Sequence, residues 1–424
     1  MTINQSQVQK QLPQRKIRQG ESFLKFKQAC DVETFPQAFA DYVRSKGEIY
    51  YWPTDGFHVV TKYEDARTVL TSPNFSADRS AFFISRMANV DFSLLTDFFS
   101  ITQGMMVTSD GKVHEKRRQS ASMGISPRWV DSFEPTTRKI VKSFLDDVAG
   151  EREAEFVTRV AQALPSTVLA ELFCIPEEER ELFCSCANTM TAFFGGGVEC
   201  TNDVAIATNK AAVSLREYFS ELIKKRRQNP QDDFISGMLE AQEEFKLSEE
   251  EIISQATLML VAGTASTTDQ ICNNLFLLLN NLDILQAVRA KPELLPNALE
   301  EFQRIDPAVT FIFRVAIANE VINGQQINAG EIAFISNHCA NRDLDEAEAP
   351  NRIRIDRQGI RHLAYGHGAH YCIGARLARL QMRELFTSML DCFPNLQLSA
   401  DSPPERNHYS LSFSGFKTLP IVCL

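Results

Sequence analysis

The sequence predicts a mainly α-helical protein with a small share of strand, and three stretches carry that expectation. The segment 248–279 opens on the capping box Ser248-Glu-Glu-Glu251 and stays apolar through Ile252, Ile253, Ala256, Leu258 and Leu260. It reads as one helix of about 32 residues, long for a globular protein. Ala375-Arg-Leu-Ala-Arg-Leu-Gln-Met382 is made of strong helix formers. By contrast, Gly47-Glu-Ile-Tyr-Tyr-Trp52 and Phe57-His-Val-Val-Thr61 flank Pro53-Thr-Asp-Gly56, a hairpin signal.

Taken in order, residues 1–18 read as a flexible tail. Tyr63–Leu70 is a short helix. Residues 81–106 are dense in apolar side chains, Phe82, Phe83 and Met87 among them, with poor periodicity. They form either a buried helix or an apolar wall over a ligand. His114 and Arg118 are four apart and share one helix face. Residues 130–190 alternate helical patterns with polar breaks. Phe193-Phe194-Gly195-Gly196-Gly197 then interrupts, because three glycines sit badly inside a helix. It is a connector between helices, either a lid over a site or a plain surface loop. Within the long helix, Gly263-Thr-Ala-Ser-Thr-Thr-Asp269 cuts a polar notch where hydroxyls bond back to carbonyls and bend the axis, which suggests a functional groove. Glu301 and Arg304 form E-x-x-R, on its own an i,i+3 ion pair of little weight. Pro307–Arg314 returns to strand.

Composition excludes several classes. A hydrophobic share of 44% with 23% charged residues is that of an ordinary soluble globular chain. A net charge of −10 argues against nucleic acid. Ten cysteines follow no disulfide framework and no secretory signal precedes them, so they read as reduced thiols in a cytoplasmic protein. The polar N-terminus is no membrane anchor, and the longest apolar runs, such as Leu275–Leu279, fall far short of a span. Phenylalanine is the outlier, 30 against two Trp, and most of it is core packing.

The stretch His362-Leu-Ala-Tyr365-Gly366-His367-Gly368-Ala-His370-Tyr371-Cys372-Ile-Gly374 crowds histidines and glycines around one cysteine. A cysteine at a helix N-terminus has its thiolate favoured, and the thiolate is the metal-binding form. Glycines let the backbone approach the sulfur and a flat ligand lie against the chain. Zinc normally draws on a second ligand pair, and no C-x-x-C follows. An iron–sulfur cluster needs several cysteines, and covalent haem needs C-x-x-C-H. A single thiolate holding haem iron axially remains.

This stretch resembles the haem-binding loop of the cytochrome P450 superfamily, F-G-x-G-x-H/R-x-C-x-G. Gly366, Gly368, His370, Cys372 and Gly374 match, and Tyr365 replaces the Phe. Asp110, His114 and Arg118 match the family's D-x-x-x-H-x-x-x-R. Ala262, Gly263 and Thr267 match the oxygen-binding helix pattern A-G-x-D/E-T-T, with Ala265 at the acid position and Ser266 at the first Thr. Glu301 and Arg304 match the E-x-x-R network, and Ala340-Asn-Arg-Asp343 a further signature. The resemblance implies a mainly α protein with a small β-rich lobe, residues 19–424 forming one domain with haem b between the central helix and the Cys372 loop. It implies Cys372 as iron ligand and His114, Arg118, Arg314 and His362 at the propionates, with Tyr365, Gly366, Gly368 and His370 also holding the cofactor. Gly263, Ala265, Ser266 and Thr267 would be the catalytic groove. Phe82, Phe83, Met87, Phe194, Val261, Ala262, Val309, Phe311 and Phe413 would line the substrate pocket. Arg352, or else Arg357, would complete a structural network with Glu301 and Arg304. His367 has no role.

The activity implied is a soluble monooxygenase acting on a small hydrophobic substrate, free or carrier-tethered, in secondary metabolism. Electrons would come from NAD(P)H through ferredoxin reductase and a ferredoxin bound at a basic face of Lys112, Lys116, Arg117, Arg376, Arg379 and Arg383. Ala265 removes the family's proton-relaying acid, with Asp269 a weak substitute. That opens a second outcome, oxidative coupling, ring closure or desaturation without oxygen insertion. A non-catalytic haem-binding protein is the third.

Overall fold

The computed structural model describes Ser22, Lys27 and residues 35–80, 90–194, 201–343, 349–407 and 412–423. The tail, Phe82, Phe83, Met87 and the glycine connector lie outside the described residues, as does the side chain of Phe194. Helices dominate, with short strands in four small sheets.

The central helix is Glu249–Leu279, unbroken through the notch. Its capping box is complete: the Ser248 hydroxyl accepts from the Glu251 amide, and the Glu251 carboxylate from the Ser248 amide. The same carboxylate takes Lys116 and Arg117, which ties the helix Gly111–Gly124 to this end. Gly263 lets helix Ala163–Leu172 come close, since a Cβ there would lie 3.1 Å from Leu169 Cδ1. One turn on, Thr268 Oγ1 donates to the Ala161 carbonyl at 3.0 Å. Ala161 ends the π-helical turn Val157–Ala161, a geometry that alters the usual carbonyl pairing.

The larger sheet runs in the order Ile49–Trp52, Phe57–Val60, Ile332–Ser336, Phe311–Ala316, Phe75–Ser76. The expected hairpin is its first pair, with Tyr50 opposite Val59 and Trp52 opposite Phe57. Alternation sends Phe57, Val59 and Phe334 to one face and Val60, Ala333 and Ile335 to the other, so the sheet carries a small core on each side. A much larger helical core surrounds the central helix. No single helix among the described residues is long and apolar enough to cross a membrane.

Candidate active site

A cavity of about 320 Å³ lies between the central helix and the 364–374 loop. One wall is Val261, Ala262, Gly263, Ser266 and Thr267; the facing wall is Tyr365, Gly366, His370 and Cys372. His114, Arg118 and Arg314 close one edge, and Val309, Phe311 and Phe413 stand on the apolar side. Residues more than 250 positions apart in the sequence thus meet in one space.

The loop is shaped by Gly366 and Gly368, at φ +73° and +71°, where a Cβ would be strained. The Cys372 amide donates to the Tyr365 carbonyl at 2.9 Å, and helix Ala375–Cys392 begins three residues later. Cys372 is exposed into the cavity, and desolvation by the surrounding walls pushes its thiol up. The Gly374 amide, Arg118, Arg379 and the Ala375 amide pull the other way without prevailing. The helix terminus alone therefore does not make the thiolate; a bound cation would supply the rest.

The His114 and His370 rings lie 4.0 Å apart. Burial, then the neighbouring His370 and Arg118, push His114 down to about 4, so it is neutral at pH 7. Its Nε2 is buried with no hydrogen-bond partner, at the edge of the cavity. Asp110 accepts from Ser76 and from the Ala77 amide and faces His370 at 3.8 Å. A lone thiol, an orphaned imidazole nitrogen, three guanidiniums and apolar walls would suit a flat dianionic macrocycle bound through one sulfur. Among the described residues no group of three His, Cys, Asp or Glu is placed to hold a metal by itself.

Several expectations need correction. His362 does not line the cavity; its Nε2 lies 3.0 Å from Glu300 Oε2, and Glu300 also takes Arg379. His367 acquires a role, accepting from Arg67 Nε at 3.2 Å and so fastening the loop to helix Tyr63–Thr71. Gly368 faces that same helix, not the cavity. The third member of the Glu301–Arg304 network is Arg357, 3.2 Å from Glu301 Oε1. Arg352 contributes only its carbonyl, to Arg304. Ala265 lies off the lining, and Asp269 is buried against Gly415, so it offers no replacement acid. The basic face is largely neutralised: Lys116 and Arg117 meet Glu251, Arg376 meets Asp131, Arg379 meets Glu300, and Arg383 meets Glu134 and Glu384. Lys112 stays exposed. The Tyr365 hydroxyl is buried without a partner, its ring 4.3 Å from the Arg379 guanidinium.

The sequence reading missed Arg79, Thr191 and Gln303, which also line the cavity. None sits in a recognisable pattern. Thr191 donates to the Val261 carbonyl at 3.0 Å and pins helix Arg180–Phe194 to the notch.

A family model described as cytochrome P450 matches residues 203–420. Cytochrome P450 107B1 of Saccharopolyspora erythraea is 33% identical over 371 residues, spanning 86% of this chain and 88% of its own. The chain belongs to the cytochrome P450 family. It is therefore a P450-type oxidoreductase with the P450 fold, and that family is haem-thiolate and draws electrons from a redox partner. Among solved P450 structures, P450BioI in complex with a fatty-acid-ligated acyl carrier protein superposes with a TM-score of 0.83 at 28% identity, over 92% of this chain and 99% of that one. CxnD, a P450 for C–S bond formation in chuangxinmycin biosynthesis, superposes with a TM-score of 0.77 at 26% identity, over 91% and 93%.

Proposed function

We propose that this P450 oxidises a small hydrophobic substrate of secondary metabolism, using haem b and electrons delivered from NAD(P)H by ferredoxin reductase and a ferredoxin. The observation that carries this reading is the placement of Cys372 across one cavity from the Ser266–Thr267 notch. Bound haem supplies the activation of dioxygen and the one-electron chemistry. Cys372 would hold that group, and His114, Arg118, Arg314 and His370, which line the same cavity, would meet its propionates. Val261, Val309, Phe311 and Phe413 exclude water and orient an apolar substrate. Ser266 Oγ donates to the Ala262 carbonyl at 2.7 Å and keeps lone pairs for accepting. The Thr267 hydroxyl lines the cavity and is the group free to donate towards a ligand.

A second reading has a specific support. No Asp or Glu is among the described residues lining the cavity, and Ala265 stands where the family pattern has an acid. Proton delivery at the notch then falls to the hydroxyls or to the substrate itself, which favours coupling, ring closure or desaturation over oxygen insertion. The likeness to CxnD agrees with such an outcome, and the likeness to P450BioI with a carrier-tethered substrate.

The deciding experiment reduces the protein under carbon monoxide. Wild type is expected to give the red-shifted carbonyl band and Cys372→Ala to lose it; survival of the band in the variant removes Cys372 as ligand. Turnover with a surrogate ferredoxin, its reductase and NADPH then separates the readings. Product with inserted oxygen supports the first and coupled or desaturated product the second. A substrate-induced spin shift without product would leave a haem-binding protein only.

A further inference from the structure

Three polar side chains on the central-helix side of the cavity have already committed their protons. Thr191, Ser266 and Gln270 all line that space. Thr191 has a single hydroxyl proton, and two carbonyls compete for it: Ala187 at 2.8 Å in its own helix and Val261 at 3.0 Å on the central helix. Ser266 Oγ donates to the next carbonyl along, that of Ala262, at 2.7 Å. Gln270 lies one turn beyond Ser266. Its Nε2 donates to Asn274 Oδ1 at 2.9 Å and to the Asp306 carbonyl at 3.1 Å, while its Oε1 accepts from the Ala308 amide at 2.9 Å.

A hydroxyl carries one proton and two lone pairs. With the proton turned onto a backbone carbonyl, only lone pairs remain for a guest, so Thr191 and Ser266 face the cavity as acceptors. The carbonyls they hold are consecutive, which sets both hydroxyls against the same turn of the central helix. Thr191 is 7% exposed, so turning its proton towards a guest would break a buried hydrogen bond with no water to replace it. Gln270 offers no donor either, since both amide protons are engaged. A site with buried acceptors favours a ligand that donates to them, and it rejects the isostere that leaves them unpaired.

We propose that Thr191 and Ser266 form an acceptor pair that selects apolar substrates bearing an O–H or N–H group and holds that group against the notch. This rests on the oxidase reading above and names the substrate class for it. Thr191 is the new specificity-determining contact, reaching the site from a helix outside every motif carried onto the chain.

The test uses two matched probe pairs: indole with benzofuran, and decan-1-ol with its isomer 1-methoxynonane. Binding to the ferric holoprotein is read by spin-state shift and by equilibrium dialysis. Wild type should bind at least one donor about five- to thirtyfold tighter than its partner. Preference for indole marks an N–H substrate and preference for decanol an O–H substrate. Thr191→Val and Ser266→Ala should each lower that ratio at least about threefold, while Thr191→Ser, which keeps the oxygen, should retain it. Loss of helix packing alone would weaken both members of a pair alike and leave the ratio unmoved. A drop in either variant supports the proposal. It is overturned if no donor binds wild type tighter than its isostere, or if T191V and S266A both keep the wild-type ratio within about twofold. S266A carries the test if T191V does not accumulate. Absence of the reduced carbonyl band from wild type would sink the haem reading alone, because dialysis still reads the ratio.

Discussion

Ala265 and Arg357 illustrate opposite limits of reading single residues. Ala265 was legible as a departure because the surrounding helix pattern fixes its position, and the lack of acids among the described residues lining the cavity gives the departure a chemical meaning. Restoring an acid tests it: Ala265→Glu should raise the fraction of oxygen-inserted product several-fold in turnover assays, since a positioned acid contributes substantially to proton transfer. An unchanged product ratio would exclude proton limitation. Arg357 was not separable from Arg352, because both lie in an irregular segment whose side-chain directions no periodicity sets. The structure turns Arg357 onto Glu301, which has no exposed surface. Arg357→Leu should therefore cost about 3 kcal/mol in urea unfolding, whereas Arg352→Leu should cost less than about 1 kcal/mol. His362 was misplaced for a related reason: its partner Glu300 lies on a distant helix, and only packing brings the two together.

Elements were more readable than partners. The central helix, the Tyr63 helix and the hairpin follow from local patterns and fall within a few residues of their expected bounds, while the helix after Cys372 begins at Ala375 as expected and runs on past Met382 to Cys392. The π-helical turn at Val157–Ala161 was not legible, since nothing local distinguishes it from an α-turn. Nor was the closeness of helices Gly111–Gly124 and Phe234–Glu240. A Cβ on Gly237 would lie 2.7 Å from Gly124 Cα and 2.9 Å from the Met123 carbonyl oxygen, both backbone atoms that cannot swing aside. Gly237→Ala should thus force the helices apart and cost about 1–3 kcal/mol, read as a lower thermal midpoint. Because helix Gly111–Gly124 also carries His114 and Arg118, the same variant should release haem faster than wild type.

At the scale of the whole molecule, one buried polar cluster joins parts distant in sequence. Asp306 takes Arg406 and His338, while Arg406 reaches Asn273 on the central helix. Burial would raise Asp306, but Arg406 and His338 hold it down at about 2. Burial keeps His338 at about 4 despite the bond to Asp306. Below about pH 6.5 the unfolded chain takes up a proton that the native His338 refuses until about pH 4. Stability should then fall by up to about 1.4 kcal/mol per pH unit across that window, and His338→Gln should flatten the slope in urea titrations at pH 7, 6 and 5. The Glu300 carboxylate has a wider consequence. It grips Arg379 at the surface and His362 beneath the loop, and burial fails to raise it because both partners hold it at about 2. Outer surface and sulfur-bearing loop are in effect one mechanical part. An acidic visitor that drew Arg379 outward would loosen Glu300's hold on His362, so contact made outside would be felt as a change of tension in the loop that carries Cys372.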